Sequence, residues 1–276
     1  MITRRVVTLA LLFGIGSGPV AFAQVAMTDV LLRYGVTVTG GVQAAFDSHN
    51  APTVPVTPGA FATPLAGLTS ATGNDRIAAA YTFGILAGWS GRAASVQEIA
   101  AAGQGLTAMI GSDDRRSRIA GARVAGRIFA APFDRSGMRQ AAPAGMVDAL
   151  FALLNRDHEV DQLAAMDALG LLRETTAVDA LMARYYFYRN ANKRALAGGA
   201  LEALARIGAT SAVDVVKQAA ADPWSEGRDA TALAVAFARE RLLKDGSMAA
   251  IRAALDDRDR RDQARGYLAE LGAPVP

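Results

Sequence analysis

The chain has 276 residues, of which 51% are hydrophobic and 7% aromatic, so it can bury a large core made mostly of Ala, Leu, Val and Ile. Ala and Leu favour helices, which predicts a helix-rich protein. Lys and Arg outnumber Asp and Glu by only 29 to 26, and this balance argues against a nucleic-acid partner. The absence of cysteine excludes disulfides and thiolate metal sites.

The first 23 residues have the layout of a secretory signal peptide. A short positive segment, Met1–Arg5, precedes an apolar stretch, Val6–Ile15, and Ala21–Ala23 forms a small-x-small cleavage site. The apolar stretch is too short to span a bilayer of about 30 Å. We therefore expect cleavage after Ala23, a periplasmic or secreted protein, and no integral membrane segment in the mature chain.

Residues 24–59 differ from the rest of the chain in composition. Val36–Thr39 is typical of a short extended stretch, and Pro52, Pro55 and Pro58 indicate a linker. We expect an irregular, partly disordered N-terminal extension here.

From about residue 60, a pattern recurs around six anchor residues. The anchors are spaced by 42, 44, 32, 34 and 33 residues, and they are Arg76, Arg118, Gln162, Arg194, Arg228 and Arg261. A small residue follows each anchor by three positions, and a residue that is apolar in every copy follows by seven. An acid or amide precedes most anchors and is expected to cap a helix; these residues are Asp75, Asp113, Asp157, Asn190, Asp222 and Asp256.

Between the anchors lie further apolar stripes with helical spacing, for example at 146–154, 178–185, 213–220 and 248–255. Each unit is therefore predicted to consist of a helix, a turn and a second helix. Since neither helix can bury its apolar face alone, the units must stack. Two long intervals place extra residues near 88–95 and 131–143, which serve as spacers or carry binding.

The unit resembles the HEAT repeat, in the form also called the PBS-lyase HEAT-like repeat. The resemblance covers residues 60–272, leaving 273–276 as a tail, and its clearest copy runs from Val147 to Gly170. It implies an all-α fold, an α-solenoid of stacked antiparallel helix pairs. It also implies a ladder of turn Asp and helix Arg residues, carried here by Asp113/Arg118, Asp222/Arg228 and Asp256/Arg261. Gln162 departs from that pattern, as does Asp75, which directly precedes Arg76.

No pattern in the sequence indicates catalysis. The two histidines are His49 in the predicted linker and His158 in a turn, and neither has ligands or partners at metal-binding or catalytic spacing. Paired acids such as Asp113-Asp114 are more typical of helix caps than of acid–base catalysis. We therefore predict no catalytic residues, no metal and no cofactor.

The aromatic run at residues 185–188 is the best binding candidate. Successive helix residues step by about 100°, so four aromatic residues in a row cannot all face one core. Tyrosine is enriched at binding hot spots. The predicted binding residues are Tyr185, Tyr186, Tyr188, Arg189 and Trp224, and the alternative is that bulky residues cover this part of the stack without binding anything.

Three functions remain open at this point. The first is an exported, non-enzymatic scaffold that binds a protein partner through the inner face of the solenoid. The second is a structural subunit of a cell-envelope assembly. The third, suggested by the alternative name of the repeat, is a lyase-like protein that handles a tetrapyrrole or other cofactor; the absence of cysteine and of converging acid or His residues fits it poorly.

Overall fold

The computed structural model describes residues 20–88, 91, 93–130 and 141–275, with side chains from residue 25 onward. Over these ranges the protein is all-helical, with 14 α-helices and no strand. The all-α fold predicted from the sequence is therefore confirmed. Residues 1–19 of the predicted signal peptide lie outside the described residues. So do residues 131–140, which belong to the second of the two long intervals between anchors.

The helices are mostly 9 to 15 residues long, and short 3-10 turns precede several of them. In chain order they are α1 (Val20–Arg33), α2 (Val42–Asp47), α3 (Ala62–Ser70), α4 (Gly73–Ala87), α5 (Val96–Ile110), α6 (Arg115–Ile128), α7 (Met146–Leu154), α8 (Glu159–Leu171), α9 (Val178–Asn190), α10 (Arg194–Ile207), α11 (Val213–Ala221), α12 (Ala230–Leu242), α13 (Met248–Ala253) and α14 (Arg261–Glu270).

From α3 onward the helices pack in consecutive pairs, an odd-numbered helix against the even-numbered helix that follows it. The even-numbered helices α4 to α14 also form a row in which each packs against the next. On the other side, α5 packs against both α3 and α7. Each anchor residue lies in the first turn of an even-numbered helix or just before it. The residues three and seven positions after each anchor are all buried, which explains why those positions are small or apolar.

Neighbouring even-numbered helices approach each other very closely at two glycines. A Cβ atom on Gly170 would lie 2.8 Å from Cα of Ala203, and one on Gly126 would lie 3.2 Å from Cα of Ala168. No side chain fits at the first of these distances without movement of the backbone. The glycines eight residues after the anchors Arg118 and Gln162 are therefore explained by the short distance between neighbouring helices, which leaves little room for a side chain.

Four of the anchor side chains bond to backbone carbonyls at the end of the preceding helix or in the turn that follows it. Arg118 donates from Nη1 to the carbonyl of Ser112, and Gln162 donates from Nε2 to that of Arg156. Arg76 and Arg261 donate in the same way to the carbonyls of Leu68 and Leu255. Carbonyls at a helix end and in the turn after it have no partner within the helix, so these bonds satisfy acceptors in the connection between the two helices of a pair. Although Gln162 departs from the arginine pattern, it serves the same purpose.

Most of the predicted helix caps are wrong in position. Asp114, rather than Asp113, caps α6 by accepting from the backbone N–H of Ser117. Likewise Asp229, rather than Asp222, caps α12 by accepting from the N–H of Ala232. The anchor spacing locates each turn, but which carboxylate in the turn reaches the free N–H groups depends on its backbone geometry.

The N-terminal extension is packed, contrary to the expectation of partial disorder. Both α1 and α2 pack against α4, and Leu31, Val36 and Phe46 are buried. The Phe46 ring lies 4.9 Å from that of Tyr81 on α4, measured between centroids. Val36–Thr39 is not a strand; it is the connection between α1 and α2. The apolar residues of this segment cover α4, the first helix of the row formed by α4 to α14.

Candidate binding surface and cavity

The four aromatic residues of α9 divide into a buried pair and an exposed pair. Tyr185 and Tyr188 are almost fully buried, whereas Tyr186 and Phe187 are 40% and 57% exposed. The 100° step between successive helix residues produces this division, and at least one exposed tyrosine was expected from it. We refer to Tyr186 and Phe187 as the α9 aromatic pair. Phe187, which the sequence did not single out, is the more exposed of the two.

The buried members of the run fix the helix that presents this pair. Burial raises the pKa of Tyr185 to about 12 and also raises that of Tyr188, so both remain neutral phenols at physiological pH. Arg184 donates to the side-chain oxygen of Asn155 at 2.7 Å. Arg189 forms an ion pair with Asp222 at 2.9 Å. Both arginines therefore join α9 to turns of neighbouring helix pairs.

Trp224 lies in the turn between α11 and α12 and is only partly exposed. Its backbone N–H donates to Asp222, and the guanidinium of Arg194 lies over its ring, 5.5 Å from the centroid. Arg194 in turn forms an ion pair with Asp229. Trp224 therefore lies within a set of contacts between helix pairs, in which Asp222 also accepts from Arg189 of α9.

The predicted ladder residues have different surroundings in the three copies. Arg118 is buried and forms an ion pair of 2.7 Å with Asp161 of the next helix pair, while its contact with Asp113 is to the backbone carbonyl. Arg228 is exposed. Asp256 and Arg261 are also exposed, and Arg261 bonds to Leu255 as described above. Sequence reasoning missed Asp161, which directly precedes the anchor Gln162.

A second arginine, Arg206 on α10, is surrounded by three carboxylates. It pairs with Asp167 on α8 and Glu202 on α10, each at 2.6 Å, and with Glu270 on α14 at 3.0 Å. Burial alone would lower the pKa of Arg206, but these three carboxylates outweigh it and raise that pKa. We call these four residues the Arg206 cluster. Beside it, the rings of Phe237 and Tyr267 stack with centroids 4.2 Å apart.

At the other end of the same row of helices, a cavity of about 580 Å³ opens beside Arg127 on α6. We call it the Arg127 cavity. One wall is the segment 49–56, and the opposite wall is the end of α4 with Ile85 and Leu86. Arg127 is only 4% exposed and donates to the backbone carbonyl of Phe46. The guanidinium carbon also lies over the Phe46 ring, 3.9 Å from its centroid. The extension therefore forms half of the cavity.

Charges of both signs act on the groups beside this cavity. Burial, followed by the positive charge of Arg123, lowers the pKa of Arg127 to about 10. Asp47 acts against this shift, but its carboxylate already pairs with Arg123 at 2.8 Å. Burial by neighbouring atoms, followed by the positive charge of Arg127, lowers the pKa of His49, although part of this residue is exposed to solvent. His49 is therefore neutral at physiological pH, and Arg127 remains charged.

Sequence reasoning missed the Arg127 cavity. The signal available was an arginine in the apolar stretch that ends α6, in the sequence Val124–Ala130. His158, by contrast, is exposed at the start of α8, as its predicted place in a turn suggests. Within the described ranges, no three His, Cys, Asp or Glu side chains are grouped so that they could hold a metal ion. In the same ranges, no helix is both long and apolar enough to cross a membrane.

Comparison with known proteins gives no family for this chain. No protein-family model matches it, and no curated protein matches it. The functional interpretation therefore depends on the residues and contacts described above.

Proposed function

We propose that this protein is an exported, non-catalytic scaffold, an α-solenoid of the HEAT-repeat kind that binds a protein partner through the α9 aromatic pair. The observation that carries the proposal is the exposure of Tyr186 and Phe187 side by side on a helix held by buried neighbours. An exposed aromatic pair on a rigid helix loses little conformational entropy on binding, and aromatic residues concentrate binding energy at interfaces.

Two observations support the solenoid part of the proposal. Six helix pairs follow one another along the chain, and their even-numbered members form one row. The sequence columns around the anchors correspond to the same buried positions in each pair. A stack of this kind offers long, continuous surfaces, which suits a scaffold.

The odd-numbered helices provide the surface that we favour for the partner. On the even-numbered row, α2 packs against α4 at one end, and α14 reaches α10 through Glu270 and Arg206 at the other. Segments of the chain itself thus occupy both ends of that row. The α9 aromatic pair belongs to the other layer, where its side chains are open to solvent.

The export part of the proposal depends on the pattern in residues 1–23. Expression of the full chain in a Gram-negative host, followed by fractionation and intact-mass measurement, tests it. We expect periplasmic protein with the mass of a chain beginning at Gln24. Full-length protein in the cytoplasm would contradict export without affecting the argument about the α9 aromatic pair.

Affinity capture from the periplasmic fraction tests the binding surface. The bait with Tyr186→Ser and Phe187→Ser is compared with the wild type and with Val160→Ser, a matched control that removes a 52% exposed apolar side chain elsewhere. We expect a partner that the wild type and the control recover and the double variant loses, while circular dichroism shows all three folded. Equal recovery of every partner by all three baits would refute the proposed surface.

A further inference from the structure

Residues 52–58, which we call the proline segment, form an exposed stretch without charge in the connection between α2 and α3. The three prolines of the segment recur every three residues, which is the repeat of a polyproline II helix and places them on one side of such a helix. Pro55 and Pro58 are exposed, and Val54 is 47% exposed. The longer stretch 48–74 contains no Asp, Glu, Lys or Arg, although 20% of the whole chain is charged.

Hydrogen bonds hold the proline segment against the connection between α1 and α2. The backbone N–H groups of Thr53 and Val54 donate to the carbonyl of Tyr34 at 3.0 and 3.2 Å. The hydroxyls of Tyr34 and Thr57 bond to each other at 3.0 Å, and Val56 packs against the core. The segment therefore has a fixed inner side and presents Val54 and its last two prolines to solvent. A surface held in place before binding loses little conformational entropy when it binds.

The charged groups beside the α9 aromatic pair indicate what kind of partner this pair fits. Arg184, two residues before Tyr186, donates to Asn155. Arg189, two residues after Phe187, is engaged in its ion pair with Asp222. A charged partner would have to compete for these arginines, whereas an uncharged apolar segment can cover the two rings and leave both contacts intact.

We propose that the proline segment of one copy docks on the α9 aromatic pair of a second copy, so that the protein associates head to tail. Proline-rich segments in the polyproline II conformation dock on surfaces lined by aromatic rings, and they do so at low entropic cost because the conformation exists before binding. This inference rests on the proposed function, since it takes the α9 aromatic pair as a binding surface and names its partner.

The two surfaces of one chain lie too far apart to meet. The proline segment lines the same cavity as the end of α4, which belongs to the first helix pair, whereas α9 belongs to the fourth. Neighbouring packed helices lie about 8–10 Å apart, so three steps along the stack separate the two surfaces by about 25–30 Å. The contact therefore needs a second copy. Because it joins two different surfaces, it leads to rings or open chains of copies.

Sedimentation velocity over a concentration series up to about 1 mM tests the self-association, since a contact of this small size is expected to be weak. We expect the average mass of the purified protein to rise with concentration. The double serine variant of the α9 aromatic pair, and separately Pro55→Ala with Pro58→Ala, should each associate at least about tenfold more weakly. Val160→Ser and Pro274→Ala, which alter an exposed valine and an exposed proline elsewhere, should associate like the wild type.

A mixture of the two double variants tests the head-to-tail geometry. Each double variant keeps one of the two surfaces, so an equal mixture should form a complex of one copy of each and nothing larger. If the proline variant does not fold, as judged by circular dichroism, Val54→Asp takes its place by putting a charge on the outward side of the segment. A mixture that stays monomeric, undiminished association of either folded variant, or a wild type that is monomeric at about 1 mM would overturn the inference.

The combined outcomes separate this inference from the proposed function. If affinity capture recovers a different protein that depends on the α9 aromatic pair, and the wild type itself stays monomeric, the proposed function stands and the second-copy inference fails. If the wild type stays monomeric and no captured protein depends on the pair, both fail.

Discussion

Two buried arginines on the same row of helices have opposite surroundings. Arg206 lies among three carboxylates and has a raised pKa, whereas Arg127 lies beside another arginine and has a pKa lowered to about 10. The first arrangement holds three helices together, α8, α10 and α14. The second places Arg127 at the wall of a cavity, beside Arg123. Burial of an arginine therefore does not by itself show how much it stabilises the fold; the charges of the groups around it decide that.

The largest expected effect in this comparison is that of Arg206→Met. The substitution leaves Asp167, Glu202 and Glu270 close together without their common counter-charge, so the free energy of unfolding should fall by about 3–5 kcal/mol. Urea denaturation followed by circular dichroism measures this. Arg206→Lys, which keeps the charge and loses the planar fork, should cost clearly less. A loss below about 1 kcal/mol for Arg206→Met would show that the Arg206 cluster contributes little to the stability of the fold.

Arg127→Met should destabilise the protein by only about 1 kcal/mol. It removes a hydrogen bond to the Phe46 carbonyl and a cation–π contact, but it also removes the cost of burying a charge that Arg123 repels. The same denaturation experiment checks it. A loss as large as that of Arg206→Met would show that the two arginines contribute equally to the free energy of unfolding.

Glu202→Gln sharpens the comparison through pH. Burial, partly offset by Arg206, raises the pKa of Glu202 in the folded protein, and nearby Asp167 and Glu270 add to the rise. A raised folded pKa means that protonation favours folding. This contribution is complete below the unfolded pKa, near 4.5, and is lost as pH rises through the folded pKa. Thermal melting from pH 4 to 8 should therefore show Glu202→Gln gaining stability relative to the wild type as pH rises. A constant difference across this range would contradict the raised pKa.

The smallest change in stability is expected from Asp47→Asn. The ion pair between Asp47 and Arg123 is about one-third exposed on both sides, so its loss should cost less than about 1 kcal/mol and matter less in high salt. Thermal melting at low and high salt measures both expectations. A loss of stability that is equal at low and high salt would contradict the assignment of this pair to the surface.

The helix pairs could be predicted from the sequence because their signals are local and repeated. Burial at the positions three and seven after each anchor follows from helix periodicity, which any single pair displays. The Arg127 cavity could not be predicted, because it depends on contacts across long stretches of chain. Arg127 bonds to Phe46, 81 residues away, and the opposite wall comes from a proline-containing segment whose composition resembles that of a linker.

The α9 aromatic pair was predicted only in part for a related reason. The 100° step fixes that some residues of the run must face outward, but not which ones. Helix phase is set by the neighbouring pairs, through contacts such as those of Arg184 with Asn155 and of Arg189 with Asp222. These contacts turn Tyr185 and Tyr188 inward and leave Phe187 exposed.

The bond between Arg206 and Glu270 has a consequence for how the stack unfolds. Linear repeat proteins are commonly described by nearest-neighbour models, in which each unit is stabilised only by the units beside it. Here residues 64 apart, on α10 and α14, are joined directly across α12. The last three helix pairs should therefore open as one cooperative block, with similar amide hydrogen-exchange protection in α10 and α12. A chain shortened by removal of α14 would lose protection two pairs away from the cut.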